Sequence, residues 1–234
     1  MSLAALPILS PVEARVLGVL VEKQRTVPDT YPLSLNAIVA GCNQKTSRDP
    51  IMSVSDADAQ AAIDALKHRS LVVESSGGRV MRYAHNAERV LGLPSQSVAL
   101  LAVLMLRGPQ TAGELRINCD RLHRFADISA VEGFLRELEA WSAGALVVEL
   151  PRAPGTRETR WAHLLAGPPS AELTAPAPAA AGADAAEGAA PSELATLRDA
   201  LAALQQDVAA LRTELARLAD DVRAAAAREP PPSA

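Results

Sequence analysis

The sequence predicts a mostly helical α+β fold in which one small module occurs twice along the chain. Leu-Val-Val-Glu at 71–74 and Arg-Tyr-Ala-His at 82–85 return as Leu-Val-Val-Glu at 146–149 and Arg-Trp-Ala-His at 160–163. Each pair consists of two β-rich segments joined by a turn that contains glycine, and a helical pattern precedes it. We therefore expect the first ~165 residues to hold two copies of a module made of three helices and a β-hairpin.

The first helix of each module is predicted from its start signals and its apolar spacing. Ser10 suits the N-cap and Pro11 the first helical position, whereas the second copy starts at Ser95 or Ser97 and ends at Gly-Pro 108–109. The apolar residues fall on one helical face, made of Val12, Val16, Val19 and Leu20 in the first copy and of Val98, Leu101, Ala102 and Met105 in the second.

The second and third helices complete each module. We expect the second over residues 34–42 and 111–118, and the third over 55–69 and 127–141. The third helices are amphipathic and turn apolar residues inward, namely Ala59, Ala62, Ile63 and Leu66 in copy one and Val131, Phe134, Leu135 and Leu138 in copy two. Three helices followed by a two-stranded hairpin are the plan of a winged helix, so the sequence predicts two tandem winged-helix domains.

The remaining sequence predicts a disordered linker and a C-terminal coiled-coil helix. Ala, Pro and Gly dominate the linker, which lacks the large apolar groups that a core requires. Beyond it apolar residues alternate at spacings of three and four, the a/d pattern of a coiled coil: Leu194, Leu197, Leu201, Leu204, Val208, Leu211, Leu215, Leu218 and Val222. The predicted ranges are 8–92 and 93–165 for the winged-helix domains, 166–191 for the linker and 192–228 for the coiled coil.

The coiled-coil pattern predicts that the chain self-associates, because a single helix would leave this apolar stripe in water. Glu193 at a g position would face Arg198 at an e position of a parallel partner, and Asp207 would face Arg212. An antiparallel pair would set like charges together, so charge favours a parallel arrangement, and the a/d residues lean toward a dimer. The alternative is an amphipathic helix that folds back onto the modules.

Composition and charge exclude several classes of protein. No basic segment precedes an apolar stretch at the N-terminus, and the longest apolar run, 98–106, is far shorter than the ~20 residues that span a bilayer. We expect a cytoplasmic protein with no membrane contact. Residues 1–165 carry 18 basic and 17 acidic side chains and the whole chain has a net charge of −4, which argues against strong nonspecific nucleic-acid binding.

The sequence offers no convincing catalytic or metal-binding constellation. It contains no phosphate-cradling glycine loop, no nucleophile elbow and no cluster of metal ligands, so we expect no enzyme activity, cofactor or metal. Cys42 and Cys119 hold equivalent positions in the two modules, which predicts small buried apolar residues rather than a redox pair. His85 and His163 are likewise equivalent and are expected to be architectural.

The candidate nucleic-acid contacts lie outside the third helices. In a helix-turn-helix this element enters the major groove, but here its start is acidic, with Asp56 and Asp58 in copy one and Asp127 and Glu132 in copy two. The candidate cations come from the hairpins and from the loop after the second helix: Lys45, Arg48, Arg79, Arg82, Arg152, Arg157 and Arg160. Such side chains could grip phosphates or enter a minor groove, or could form a solvated surface.

The loop after the second helix of the first module is unusually polar. Asn43, Gln44, Lys45 and Thr46 begin it, and the second module has no matching stretch. This composition suits the binding of phosphate, nucleic acid or a peptide. The structural alternative is that Asn43 ends the helix in a left-handed cap while Asp-Pro at 49–50 forms a turn.

Four longer stretches point to a known family. They are Tyr-Pro-Leu-Ser-Leu-Asn at 31–36, Cys-Asn-Gln-Lys-Thr at 42–46, Leu-Arg-Gly-Pro-Gln-Thr-Ala-Gly-Glu-Leu-Arg at 106–116 and Pro-Gly-Thr-Arg-Glu-Thr-Arg at 154–160. Over about residues 8–165 the chain thereby resembles the YceH-like family of uncharacterised bacterial proteins. The resemblance implies tandem winged-helix domains and brings no activity, ligand or catalytic residue.

The residues and the resemblance together predict a non-enzymatic regulatory protein that binds double-stranded DNA and self-associates through its C-terminal helix. The rival hypothesis is a protein–protein adaptor whose winged-helix modules bind other chains and make no DNA contact. Neutral modules and acidic third helices favour the adaptor, whereas the arginines of the hairpins and the cationic loop favour DNA.

Overall fold

The computed structural model describes residues 8–76, 80–152 and 158–169. The chain divides into a compact unit over residues 1–179 and a second unit over 180–234, and every described residue belongs to the first. The coiled-coil positions predicted at 192–228 therefore lie outside the described residues, as does all of the predicted linker beyond residue 169.

The described residues form seven α-helices and two β-hairpins, which confirms a mostly helical α+β fold. The first module comprises α1 (Pro11–Thr26), α2 (Leu35–Cys42), α3 (Asp56–His68), β1 (Val72–Ser75) and β2 (Arg82–His85). A short helix, α4 (Ala87–Leu91), follows it and was not predicted. The second module comprises α5 (Ser95–Arg107), α6 (Ala112–Asn118), α7 (Ile128–Glu139), β3 (Val147–Leu150) and β4 (Arg160–His163). In the part of the chain described here, no helix has the length and hydropathy that a bilayer crossing requires.

The predicted helix starts are confirmed wherever a side chain caps the helix. The hydroxyl or carboxylate of each capping residue accepts the backbone N–H three residues later, and these caps are Ser10, Ser34, Ser55, Thr111 and Asp127. Helix α5 differs, because its N-cap is Pro94 and no side-chain hydrogen bond caps it.

The two hairpins share one register, as the repeated sequence predicts. Both are antiparallel, and Val72 pairs with His85 as Val147 pairs with His163. A third short segment bridges each hairpin from the residues before the second helix, through Leu33 to Tyr83 in one module and through Gln110 to Trp161 in the other. The rings of Tyr83 and Trp161 are buried, so they fasten each hairpin to its helices.

Helices α1 and α5 form the centre of the unit and are buried on every side. The buried stretch runs from Glu13 to Val21 in α1 and from Ser97 to Leu106 in α5. Each helix packs against its own module and against the equivalent helix of the other module. The single apolar face predicted for each helix is therefore too narrow a description. At the crossing a Cβ added to Gly18 would lie 3.0 Å from Leu106 Cγ, so any larger residue there would require the Leu106 side chain to shift.

The two cysteines are small buried core residues, as expected. Cys42 ends α2, Cys119 follows α6, and both are fully enclosed and unpaired. Burial raises the pKa of Cys42 to about 11 and that of Cys119 to about 12. Both therefore remain protonated thiols at neutral pH, which makes them poor nucleophiles and poor metal ligands.

Candidate functional site

The polar loop of the first module docks onto the second module. We call residues 43–50 the junction loop. The backbone N–H of Asp49 donates to the carbonyl of Leu106 at 2.8 Å, and Arg107 Nη2 donates to Ser47 Oγ at 2.7 Å. The loop thus contacts the end of α5, and the candidate residues of this loop lie at the contact between the two modules.

Arg48 lies inside the fold rather than on its surface. Its guanidinium is fully enclosed and forms a bidentate ion pair with Glu22, with Nη2 2.6 Å from Oε2 and Nη1 3.2 Å from Oε1. Its Nε donates to the carbonyl of Gly41 at 3.0 Å. Burial raises the pKa of Glu22, but the hydrogen bonds and charges of Arg48 and Lys23 together lower it by more, so it lies below its ordinary value. Arg48, predicted as a candidate phosphate contact, instead binds Glu22 and a backbone carbonyl within the chain.

A second buried arginine, Arg15, was missed by the sequence analysis. It lies in the enclosed part of α1 and donates to the carbonyl of Cys42 at 3.3 Å and to that of Pro50 at 2.7 Å. Arg15 and Arg48 therefore both bind the last carbonyls of α2, where the helix dipole places partial negative charge. An arginine between Ala14 and Val16 in an apolar helix was the available signal for such a role.

Asn43 connects the two ends of the segment between α2 and α3. Its amide Nδ2 donates to the carbonyl of Val54 at 2.9 Å, and its Oδ1 accepts the N–H of Val54 at 2.7 Å. The predicted left-handed cap is wrong, because the φ of Asn43 is −91°. The left-handed residue is Ser47, with a φ of 60°. Its turn presents the hydroxyl that Arg107 binds.

Cations from both modules line a pocket of about 400 Å³ beside the junction loop. We call it the junction pocket. Its basic side chains are Lys23, Lys45, Arg107 and Arg121, and its polar neutral ones include Gln44, Thr46 and Asn118. Lys45 and Arg121 are exposed. Neither has a carboxylate at ion-pair distance within the described ranges.

A second cleft, of about 300 Å³, shares Ser47 and Arg107 with the junction pocket. Arg160 lines it together with Gln110 and Glu114. The nearest contact of Arg160 with a carboxylate is 3.9 Å, to Glu114, and its side chain is exposed. Thus Arg160 is only loosely held at the first position of β4.

The other hairpin candidates have different surroundings. Arg82, the equivalent of Arg160, donates to the carbonyls of Thr30 at 3.3 Å and Pro32 at 2.8 Å, and so holds the segment before α2. Arg152 is exposed, and its charge acts on the carboxylate of Glu149. Arg79 and Arg157 lie outside the described residues.

The exposed faces of the third helices carry acidic groups. Asp56, Asp58 and Asp64 of α3 are exposed, and so are Glu132 and Glu137 of α7. The one arginine of α7, Arg136, binds two carboxylates and stacks on an indole, through Glu139 at 2.8 Å, Glu149 and the ring of Trp161 at 4.7 Å. A phosphate backbone approaching either helix along its axis would meet like charge.

Comparison with known proteins places this architecture in a family. The family described as "Protein of unknown function, DUF480" matches residues 9–156. The chain belongs to the DUF480 family. A UPF0502 protein of Dechloromonas aromatica is 66% identical over 72% of this chain and 79% of its own length. UPF0502 proteins of Methylibium petroleiphilum and Leptothrix cholodnii are 60% and 62% identical, covering 82% and 81% of this chain and 78% and 84% of their own lengths.

Three of the four stretches that carry the resemblance place residues at the junction or in the cleft beside it, and the third of these, 154–160, extends past the DUF480 match. The stretch 42–46 supplies the start of the junction loop, and 106–116 supplies Arg107 at the end of α5. Arg160, which ends the stretch 154–160, lines the neighbouring cleft. Residues far apart in sequence are therefore gathered around one contact between the modules, which makes the junction the leading functional region of the described chain.

Proposed function

We propose that this DUF480 protein is a non-enzymatic, cytoplasmic regulator that binds double-stranded DNA through two winged-helix modules. Two observations support the winged-helix assignment. Three helices and a hairpin occur twice, and a third short segment bridges the hairpin in each copy. The YceH-like resemblance of the sequence implies the same plan. The winged helix is a form of the helix-turn-helix, which is a DNA-binding motif.

The hairpins, rather than the third helices, supply the DNA contacts in this proposal. The observation that carries it is that Arg152 and Arg160 of the second hairpin are exposed, whereas the exposed faces of the third helices are acidic. Arginine on a protruding hairpin binds phosphates or enters a minor groove without requiring the helix to enter the major groove. Lys45 is exposed and would add a contact from the junction loop, with Arg79, Arg82 and Arg157 as further candidates.

We expect duplex binding by the full chain to be weak and steeply dependent on salt. Changing Arg152 and Arg160 together to Ala should flatten the slope of log K against log salt by about 1.8, because each neutralised phosphate contributes about 0.9. Fluorescence anisotropy with a labelled duplex at several salt concentrations measures this slope. The matched control is Arg25→Ala with Arg89→Ala, which removes the same charge from exposed positions of α1 and α4. Equal slopes in the two double variants would show that the arginines of the second hairpin do not contact the duplex.

The second candidate function is a protein adaptor, and one surface favours it. Ile117 and Ile128 are 71% and 46% exposed at the ends of α6 and α7. Ile128 borders a groove of about 470 Å³ between α7 and the second hairpin, whose walls include Glu132 and Trp161. Apolar side chains exposed beside a groove suit a protein ligand better than a phosphate backbone. Absence of duplex binding even at low salt would favour the adaptor.

Self-association through residues 192–228 completes the proposal. Replacing Leu204 and Leu211 by Asp should convert a dimer into a monomer, because each carboxylate would be buried in the seam without a partner. Light scattering coupled to size exclusion measures the mass of the full chain and of the variant. Ala203→Asp with Ala210→Asp is the matched control, since both residues take outward c positions of the same heptads. A wild-type chain that is already monomeric would contradict the coiled coil.

A further inference from the structure

We propose that the junction pocket is a phosphate-binding site shared by the two modules. The ligand chemistry is a phosphate group, carried either by a free small molecule or by a nucleic-acid backbone. Four separate elements supply the cations: Lys23 comes from α1, Lys45 from the junction loop, Arg107 from the end of α5 and Arg121 from the segment between α6 and α7. No single element of the fold would form this site alone.

The side chains that line the pocket carry more positive than negative charge, which favours an anionic ligand. Glu22 is the only carboxylate among the residues that line it. That carboxylate is already occupied, because Arg48 binds it at 2.6 Å and Lys23 lies 3.2 Å from it. Lys45, Arg107 and Arg121 line the same pocket, and none of the three has a carboxylate at ion-pair distance in the described ranges. An anion that entered the pocket would be attracted by cations of both modules.

The hydrogen-bonding groups suit phosphate oxygens. A guanidinium has five N–H donors, and one nitrogen of Arg107 is engaged with Ser47 at 2.7 Å, which fixes the side chain and leaves other donors unused. Such preorganised charge-assisted bonds are the strong ones in phosphate recognition. Thr46 and Gln44 add neutral donors at the rim of the same pocket.

The size and walls of the pocket admit more than the phosphate itself. Its volume of about 400 Å³ lies in the range of small-molecule sites, and Val27 and Leu122 form apolar parts of its wall. These side chains would contact the organic portion of a phosphorylated molecule. Because the ligand would touch both modules, its binding would also hold the junction closed and stabilise the folded unit by mass action.

Pyrophosphate is the probe for the free-ligand source, titrated into the full chain at constant ionic strength by calorimetry. Lys45→Gln with Arg121→Gln should weaken its binding at least about tenfold, since charge-assisted bonds are lost. Both side chains are exposed, so the variant is expected to fold. The control pair is Arg116→Gln with Arg124→Gln, which removes the same charge from exposed positions outside the pocket and should leave affinity unchanged.

A labelled duplex distinguishes the second source with the same variants. Duplex binding that falls in the pocket pair, without any pyrophosphate binding to the wild type, would identify the phosphate as that of a nucleic-acid backbone. The inference shares only Lys45 with the proposed duplex contact, because Arg152 and Arg160 do not line this pocket. The phosphate site would be overturned if the wild type bound neither pyrophosphate nor the duplex. It would also be overturned if the pocket pair and the control pair lost affinity equally.

Discussion

Glu22→Gln is expected to lower the free energy of unfolding by about 3 kcal/mol, which is a large part of the stability of a domain of this size. The substitution keeps the shape of the side chain but leaves the guanidinium of Arg48 fully enclosed without a counter-charge. Arg48 also binds the carbonyls of Gly41 and Ser47, so it cannot turn toward solvent without breaking the junction loop. Urea unfolding of the full chain, followed by circular dichroism, measures the loss.

Glu88→Gln is the matched control for this prediction. Glu88 pairs with Arg25 at 3.6 Å, but both side chains are nearly half exposed, so the surrounding water screens the pair. Breaking it should cost less than about 1 kcal/mol. A loss for Glu22→Gln no greater than that of the control would show that Arg48 finds another partner or remains hydrated.

Acidification from pH 6 to pH 5 is expected to destabilise the folded unit by up to about 2.7 kcal/mol, of which each of two histidines contributes about half. Burial lowers the pKa of His163 to about 4, and burial together with the charge of Arg25 lowers that of His85 to about 4. Between pH 6.5 and 4 the two histidines therefore bind protons in the unfolded chain but remain neutral in the folded chain. The stability that depends on their neutral form is fully present above pH 6.5 and decreases as the pH falls.

The surroundings of the two rings explain why they stay neutral. His85 Nε2 lies 2.7 Å from Gln24 Oε1, and the neutral amide accepts a hydrogen bond without supplying a counter-charge. His163 is more enclosed, and its Nδ1 has no hydrogen-bond partner among the described residues. Glu22 does not interfere in this range, because its pKa is below the ordinary value and its contribution is lost only at lower pH.

The measurement is the free energy of unfolding at several pH values between 7.5 and 5. His163→Leu should remove about half of the slope, because one of the two proton-binding differences disappears. His68→Gln is the control, since His68 is exposed at the end of α3 and should leave the slope unchanged. A slope that persists undiminished in His163→Leu would assign the pH dependence to other groups.

Local signals in the sequence determined where most elements begin and how the hairpins pair. Ser10, Ser55 and Thr111 cap their helices because a side-chain oxygen needs only the N–H three residues later. The hairpins follow from two β-rich segments joined by a turn, and the repeat of these segments predicts one register for both hairpins. Because the module is repeated, the order of helices and strands in one copy predicts the order in the other. All of these inferences use residues close together in the chain.

The partners of the charged residues in the junction loop could not be read in the same way. A guanidinium suits a phosphate as well as a carboxylate or a helix-ending carbonyl, and the sequence does not distinguish among them. The structure assigns Arg48 to Glu22, 26 residues earlier, and Arg15 to Pro50, 35 residues later. Lys45 and Arg121 come from different modules, so their meeting in one pocket was equally inaccessible.

By itself the sequence determined the repeated module, its helix caps, its hairpins and its buried cysteines. Only the tertiary structure decided that α1 and α5 are enclosed on all sides and that the junction loop joins the modules. The physical reason is that the spacing of apolar residues along a helix predicts only the face that packs against the core of its own module. Whether a second module covers the remaining face depends on contacts such as Gly18 with Leu106, whose partners lie far apart in the chain.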